Sequence, residues 1–567
     1  MAPPNRRTLL KGGASLAALA ALPACQGGRP GAGAVDAPTP APGPTPPAPD
    51  DDGRVFRHGV ASGDPLPGAV VLWTRISGAP AGSAVRVGWE VATDPDFTNI
   101  VRRAGDGVDD SSGAADANVT GPERDYTLKL DVSGLRPGTR YYYRFEALGQ
   151  RSPVGRTRTA PSGALEQLRL GVATCGDYSR GLWNAYARLA EREDIDAVLH
   201  LGDYIYETDR DRVRAHQPPV EIRSLDEYRA RYASYRAEPK LQAVHAAHPM
   251  IWVWDDHETV DGTWMNGADP NDHDPAEDGD FGARKLAART AAFEWLPIRL
   301  PEPEANPERI YRRFQFGDLV DLMMLDTRRI GRDRQGEPNV EGGFFTQSGE
   351  FIDPERHILG AEQEAWFIDA LQSSPATWRL VGNQVVFAQI KIFGAPNATG
   401  LSIYANPDQW DGYEPARERI LDAIEAGGVD NVVFLTGDVH AALAFEVTRD
   451  PNNPAVYLPR TGIGTHAVEF VTPSISSGGD VSSIPNPGDD PDNILEDLIA
   501  ANGDLLRVVN PHGQYFDSRN GYLIVDINRD RLQAEYWLVP TVTAPSDEQT
   551  LDATLSVPSG TARIDVV

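Results

Sequence analysis

The sequence predicts an α/β fold with a small all-β domain in front of it. Three observations carry this. First, several apolar runs too short for helices end in ionisable residues: Val198-Leu199-His200-Leu201-Gly202-Asp203, Met250-Ile251-Trp252-Val253-Trp254-Asp255-Asp256, and Val432-Val433-Phe434-Leu435-Thr436-Gly437-Asp438. Such runs read as buried strands, and open α/β sheets place their sites at the carboxyl ends of strands. Second, helix-like segments separate such runs, as at 182–192 between the apolar run 168–175 and the one ending in Asp203. Third, residues 54–160 hold short alternating strands between turn signals, the pattern of an antiparallel sandwich.

The bounds are those of a large globular protein. The chain has 567 residues, 41% of them hydrophobic, enough for two or more domains. Lys and Arg number 53 against 82 Asp and Glu, a formal net charge of −29. That excludes nucleic acid as a stable partner, which would need a basic field. The acidity has two readings: carboxylates reserved for hard cations such as calcium, or the solvated surface of an exported protein. Only Cys25 and Cys175 are present, so no disulfide framework is expected and each needs its own explanation.

The first residues read as a targeting segment. Asn5-Arg6-Arg7-Thr8-Leu9-Leu10-Lys11, followed by an apolar stretch to Ala21, resembles a Tat signal peptide. The stretch falls short of the ~20 residues a spanning helix needs. Passage through the Tat translocon implies an exported protein, periplasmic or at the cell surface. Leu22-Pro23-Ala24-Cys25 is similar to a lipobox, with Cys25 as the lipidated residue and a lipid as the membrane contact. Pro23 is unusual there, so plain signal-peptidase cleavage stays open. Residues 26–53, rich in Pro and Gly, read as a semi-rigid tether.

In the front domain, strands are expected at 69–75, 84–91 and 126–132. Leu135-Arg136-Pro137-Gly138-Thr139-Arg140-Tyr141-Tyr142-Tyr143-Arg144-Phe145 then resembles the late strands of a fibronectin type III-like domain. Its tyrosines alternate between core and surface as packing residues. A linker near 160–163 leads into the large domain, 165–540.

That domain carries the candidate chemistry. Leu170-Gly171-Val172-Ala173-Thr174-Cys175 is a strand ending in a Cys at a turn. A buried apolar Cys is the plain reading, but its place at a strand end before a helix and the Asp203 strand favours a thiolate metal ligand. Asp203 and Tyr206, three apart past a strand end, can converge on one ion. Gly-Asp alone is more often a simple turn, so the case rests on partners elsewhere. Asp255-Asp256-His257-Glu258 sets four ionisable groups in a row, which repel unless a cation neutralises them. Tyr228, Tyr232 and Tyr235 share one helix face and read as packing. Leu325-Asp326-Thr327-Arg328 offers an Arg that either clamps a phosphoryl oxygen or pairs with Asp326. Asn383, after the strand 378–382, is a candidate oxygen ligand. Asp438 and His440, two apart past a strand end, can point one way. The tail, 541–567, alternates apolar and polar residues and reads as a C-terminal β extension adding edge strands.

Taken together, Cys175, Gly202-Asp203-x-x-Tyr206, Asp256-His257-Glu258, Gly382-Asn383 and Gly437-Asp438-x-His440 resemble the metallophosphoesterase pattern. The chain is most similar to the PhoD-type alkaline phosphatases. The likeness runs through His58-Gly59-Val60-Ala61-Ser62-Gly63-Asp64-Pro65, His200-Leu201-Gly202-Asp203-Tyr204-Ile205-Tyr206-Glu207, Trp254-Asp255-Asp256-His257-Glu258, Leu325-Asp326-Thr327-Arg328 and Asn510-Pro511-His512. It covers nearly the whole chain after the tether. It implies a two-sheet β-sandwich flanked by helices. It also implies iron (Fe3+) held partly by Cys175, Asp203, Tyr206 and His440, and calcium alongside. Asp203 would bridge the metals, with Asp255, Asp256 and Asp438 on the calcium side. The implied activity is hydrolysis of phosphate esters by a metal-activated hydroxide, with no Ser or Cys nucleophile. His257 is then a proton donor or an orienter, and Arg328 helps stabilise phosphoryl charge. The sequence departs from the family after Glu258: Thr259-Val260-Asp261-Gly262 stands where paired asparagines are usual, so Asp261 is expected to replace a neutral ligand with a charged one.

Two alternatives remain at this point. A phosphodiesterase or phospholipase D-like hydrolase would use the same metal core, with the connection 474–510 forming part of its rim. A non-catalytic surface-binding lipoprotein would leave the strand-end ligands unexplained. Acyl hydrolysis by a serine is set aside, because the chain has no Gly-x-Ser-x-Gly elbow.

Overall fold

The computed structural model describes residues 53–105, 118–208, 213–301, 306–340, 343–459, 461–478, 503 and 505–567. The expected Tat signal, Cys25, the tether up to residue 52 and most of the connection 474–510 lie outside the described residues.

Two sheets form the body of the molecule. The first has ten strands, in the order Asp565–Val566, Thr550–Pro558, Arg531–Leu538, Gly521–Asn528, Gln167–Ala173, Ala197–His200, Pro249–Trp252, Val60–Leu66, Ala69–Arg75 and Thr127–Ser133. Gln167–Ala173, Ala197–His200 and Pro249–Trp252 run parallel at its centre. The second has seven strands: Arg312–Phe316, Val320–Met324, Trp378–Gly382, Val432–Thr436, Thr465–Val471, Ala442–Thr448 and Gly513–Asp517. Val320–Met324, Trp378–Gly382, Val432–Thr436 and Thr465–Val471 run parallel to one another.

The apolar runs are continuous because both faces of the parallel strands are covered. Leu322, Leu380, Val433 and Leu435 of the second sheet share one core with Leu170, Leu199 and Ile251 of the first. The alternate residues Met323, Val381 and Phe434 face a second core, with Phe367, Leu371, Ile420 and Ile424. So the two sheets pack face to face, and the helices Gly360–Ser373 and Glu414–Gly427 cover the outer face of the second. Helices Asn184–Ala190, Leu225–Arg236 and Pro239–Ala247 flank the first sheet. Leu225–Arg236 begins in a capping box, Ser224 with Glu227, and buries Tyr228, Tyr232 and Tyr235 on one face. Among the described residues no helix is long and apolar enough to cross a membrane.

The front domain differs from the self-contained sandwich that the sequence suggests. Val60–Leu66, Ala69–Arg75 and Thr127–Ser133 belong to the ten-stranded sheet, joined through Ser62 and Gly63 to Pro249 and Met250. Gly155–Arg158, Arg140–Ala147, Gly88–Ala92 and Ile100–Arg103, with Gln150–Arg151, form a separate sheet, and Val85–Arg86 pairs with Val119–Thr120. The joint needs Gly63: a Cβ there would lie 2.3 Å from the Pro297 carbonyl oxygen and 2.5 Å from that of Met250. Beside it the buried Asp64 carboxylate accepts hydrogen bonds from Arg312 Nη2 at 2.7 Å and the Arg299 backbone N–H at 2.8 Å. Removing a buried partner leaves charge uncompensated, so Asp64→Ala is expected to cost about 3–5 kcal/mol. A urea midpoint equal to that of the parent protein would show the joint does not depend on it.

Candidate metal centre

The chemistry sits where strand ends from both sheets meet. Cys175, Asp203 and the Asp255-Asp256 pair follow central strands of the first sheet; Asp438 and His440 follow Val432–Thr436 of the second. At four of these residues the backbone turns left-handed: φ is 55° at Cys175, 55° at Asp203, 68° at Asp438 and 53° at His440. Residues other than glycine rarely adopt this region, and such strain gathers at functional sites. It turns each side chain out of the strand direction toward a common point. Gly202 lets two of the loops touch: a Cβ on it would lie 2.4 Å from Asp255 Cβ.

Three overlapping donor groups result. Cys175, Asp203 and His440 each offer an atom within 4.8 Å of the others; so do Asp203, Asp256 and His257, and so do Asp255, Asp256 and Asp438. Tyr206 joins the first group. Its hydroxyl donates to Asp203 Oδ2 at 3.0 Å and lies 3.2 Å from His440 Nε2. Asp203 is shared by two groups, as a bridging carboxylate would be.

The electrostatics call for a cation. Burial pushes the Asp203 carboxyl well above the usual range, and Asp256, Glu258 and Asp438 add to this against the opposing His257. Burial likewise pushes up Asp255, and raises Asp438 to about 6 despite Arg328. The Cys175 thiol is raised by burial and by the Asp203 charge, and the Tyr206 phenol by the same two causes. Among the described residues, Asp203 Oδ1 and Asp255 Oδ2 are buried without a hydrogen-bond partner. Unmatched lone pairs on crowded buried acids are what a metal ion satisfies. The donor set fits two kinds of ion. Thiolate, phenolate and imidazole suit a transition metal, and the all-carboxylate group suits a hard cation.

Second carboxylates hold these loops together. Glu258 accepts from the backbone N–H groups of Asp255 at 2.7 Å, Asp203 at 3.1 Å and Tyr204 at 2.6 Å. Glu207 Oε2 lies 2.8 Å from His257 Nδ1, while Glu207 Oε1 accepts from the Asp261 N–H at 2.9 Å. Burial alone would raise Glu207, yet His257 brings it down to about 2. Burial opposes charge on His257 as well, but Glu207 and Asp203 outweigh it and raise the imidazole. The ring lies over Tyr206, with centroids 4.1 Å apart. A cavity of about 200 Å³ opens onto Tyr206, His257 and His440, with Arg180 and Asp261 in its wall.

Three expected site residues are placed differently from their sequence reading. Arg328 neither clamps outward nor pairs its guanidinium with Asp326. The guanidinium is wholly buried and bonds Asp255, Asp408 at 2.7 Å and Asp438 at 2.6 Å, with Asp256 at 3.4 Å. Asp326 instead accepts from the backbone N–H groups of Arg328 and Arg329, shaping the turn. Asn383 spends its amide on the fold. Its Nδ2 donates to the Val385 carbonyl and to Thr436 Oγ1, and its Oδ1 accepts from Trp410 Nε1 at 3.3 Å. Asp261 belongs to none of the three donor groups. The loop presents backbone instead: the Asp261 N–H to Glu207 and the Gly262 N–H to Asp256 Oδ2 at 3.0 Å.

Sequence reasoning missed Asp408 and Ser477. Asp408 sits in a loop and holds Arg328 and Arg332, which bring it down to about 2 against its burial. Ser477 Oγ lies 2.7 Å from the Tyr206 hydroxyl oxygen. Asp408 lies in no periodic run; Ser477 falls three residues past Val468-Glu469-Phe470-Val471-Thr472-Pro473-Ser474, a stretch similar to the PhoD-type pattern, but its residue type gave no sign that it reaches Tyr206.

Comparison with known proteins places the chain in a family. Residues 170–536 match the family model of the PhoD-like phosphatases. The chain belongs to the PhoD-like phosphatase family. Residues 43–161 match the PhoD-like phosphatase N-terminal domain. This PhoD-like chain is 36% identical to alkaline phosphatase D of Bacillus subtilis (strain 168) over 514 residues, 88% of the chain and 80% of that protein. It superposes on a solved structure of PhoD with a TM-score of 0.77 and 33% identity, covering 92% of this chain and 93% of that one. A purple acid phosphatase from yellow lupin (Lupinus luteus) seeds aligns at a TM-score of 0.48 and 14% identity, covering 84% and 71%. The two-sheet α/β fold expected from the sequence is the fold of this PhoD-like family.

Proposed function

We propose that this chain is an alkaline phosphatase that hydrolyses phosphate esters at the centre built on Cys175, Asp203, Tyr206 and His440. One observation carries the reading: Asp203 belongs both to the group with Cys175 and His440 and to the group with Asp256 and His257, through which it meets the Asp255, Asp256 and Asp438 cluster, and it keeps a buried Oδ1 without a partner. The donor chemistry favours Fe3+ among Cys175, Asp203, Tyr206 and His440, and calcium at Asp255, Asp256 and Asp438. Bound cations there supply Lewis acidity toward phosphoryl oxygen and a nucleophile drawn from water at neutral pH.

The chain's own residues do the rest. Tyr206, His257 and His440 form the part of the centre that the cavity reaches, so the ester enters on that face. Glu207 takes His257 Nδ1, which leaves Nε2 as the nitrogen that can give a proton to the leaving oxygen. Arg328 acts from beneath, holding Asp255, Asp408 and Asp438 in place rather than touching the ester. The twin-arginine N-terminus supports export to the periplasm or cell surface, and Cys25 supports a lipid anchor on the Pro/Gly-rich tether.

Two experiments test this. With the metal-loaded protein, turnover of a chromogenic phosphate monoester and diester is compared. The reading expects turnover, and the rate ratio selects monoesterase or diesterase; no turnover of either by metal-loaded protein would contradict it. Loss of the proton donor is expected to cost about 10²–10⁴-fold on an alkyl phosphate, and far less on an aryl ester whose leaving group needs no proton. Equal losses for His257→Gln on both esters would remove the proton-donor role.

A further inference from the structure

Ser477 Oγ lies 2.7 Å from the oxygen of the candidate phenolate ligand Tyr206, and the sequence reading gave it no role. It follows the strand Thr465–Val471 and is fully buried. Its backbone and that of Ser476 both donate to the Cys175 carbonyl oxygen at 3.3 Å. Ser476 Oγ also donates to the Asp177 carbonyl oxygen at 2.7 Å. The Ser477 carbonyl in turn accepts from Asn520 Nδ2 at 2.9 Å. One turn therefore fixes both Cys175 and Tyr206.

The direction of the Ser477 hydroxyl follows from its partners. Ser477 Oγ accepts from the Asp177 N–H at 3.3 Å, so its own proton points to the Tyr206 oxygen 2.7 Å away. At present the Tyr206 proton goes to Asp203 Oδ2. When a metal ion takes the place of that proton, the Tyr206 oxygen becomes an acceptor only, and Ser477 is the donor already aimed at it.

We propose that Ser477 is a positioning residue that sets the donor strength of Tyr206 toward the bound metal, by hydrogen-bonding its oxygen from a fully buried position outside the cavity lining. This rests on the reading of Tyr206 as a metal ligand. A hydrogen bond to an anionic ligand draws charge from it and weakens its donation, which raises the reduction potential of the ion it holds. Ser477 thus tunes the metal without touching the ester.

The test uses the full chain loaded with iron(III), and reads the tyrosinate-to-iron charge-transfer band and the reduction potential. Tyr206→Phe is expected to abolish the band. Ser477→Ala is expected to move it to longer wavelength and to lower the potential, while Ser477→Thr, which keeps the hydroxyl, holds both near the parent values. The parent protein needs no variant: the resonance-Raman C–O mode of the tyrosinate is expected to shift on exchange from H2O to D2O. A Ser477→Ala protein with parental band and potential, or a mode insensitive to D2O, overturns the role of Ser477 alone. A parent protein with bound iron and no tyrosinate band overturns the ligand reading as well.

Discussion

Asp203→Asn lowers phosphate-ester turnover by on the order of a thousandfold or more and leaves the protein folded. The amide keeps the shape but loses the charge that two donor groups share. Metal-free protein shows the opposite effect on stability. Its folded Asp203 is raised above the unfolded value by burial and by the neighbouring acids Asp256 and Glu258. A carboxyl raised in this way binds more protons folded than unfolded, so metal-free stability falls as pH climbs above the unfolded value near ~3.9. The Asn variant removes that slope and, free of metal, melts above the parent at neutral pH. Adding metal then stabilises the parent and not the variant, because only a species that binds the folded state raises its stability. A variant that keeps near-native turnover, or gains the same metal-dependent stabilisation, would end the bridging role of Asp203.

Arg328→Gln destabilises the metal-free protein by about 3–5 kcal/mol, the usual cost of leaving buried charge without its partner. The guanidinium is the common cation of Asp255, Asp408 and Asp438, with Asp256 beside them. Without it those carboxylates repel in a dry site. The same loss makes the site hungrier for a hard cation, so calcium is expected to raise the melting temperature of the variant more than that of the parent. A variant as stable as the parent in a chelator would show that Arg328 does not hold the cage. A variant destabilised but indifferent to calcium would show that the cage does not bind one.

Much of this could be read from the sequence, because buried parallel strands leave continuous apolar runs and sites lie at their ends. That logic singled out Cys175, Asp203, Asp255, Asp256, Asp438 and His440, and the structure brings their donor atoms together. What it could not show depends on chain segments far apart. Arg328 follows a strand end like the others, but Asp408, eighty residues on, draws it inward. Asn383 has the right place in its strand and the wrong partners: Trp410 and Thr436 occupy its amide. The shared sheet hinges on one close approach, Gly63 against Pro297 and Met250, which leaves no mark on the alternation of residues 54–160. Ser477 lies just past Val468-Glu469-Phe470-Val471-Thr472-Pro473-Ser474, and only the folded chain shows its Oγ 2.7 Å from the Tyr206 hydroxyl oxygen.

The most direct test of the account is a titration of metal-stripped protein with iron and calcium, recording bound metal and turnover of a phosphate ester together. The account predicts no turnover without metal, activity rising in step with occupancy, and a flat line for Asp203→Asn. Turnover by stripped protein in the presence of a chelator, or a protein that fills with metal and turns over no ester, would contradict it.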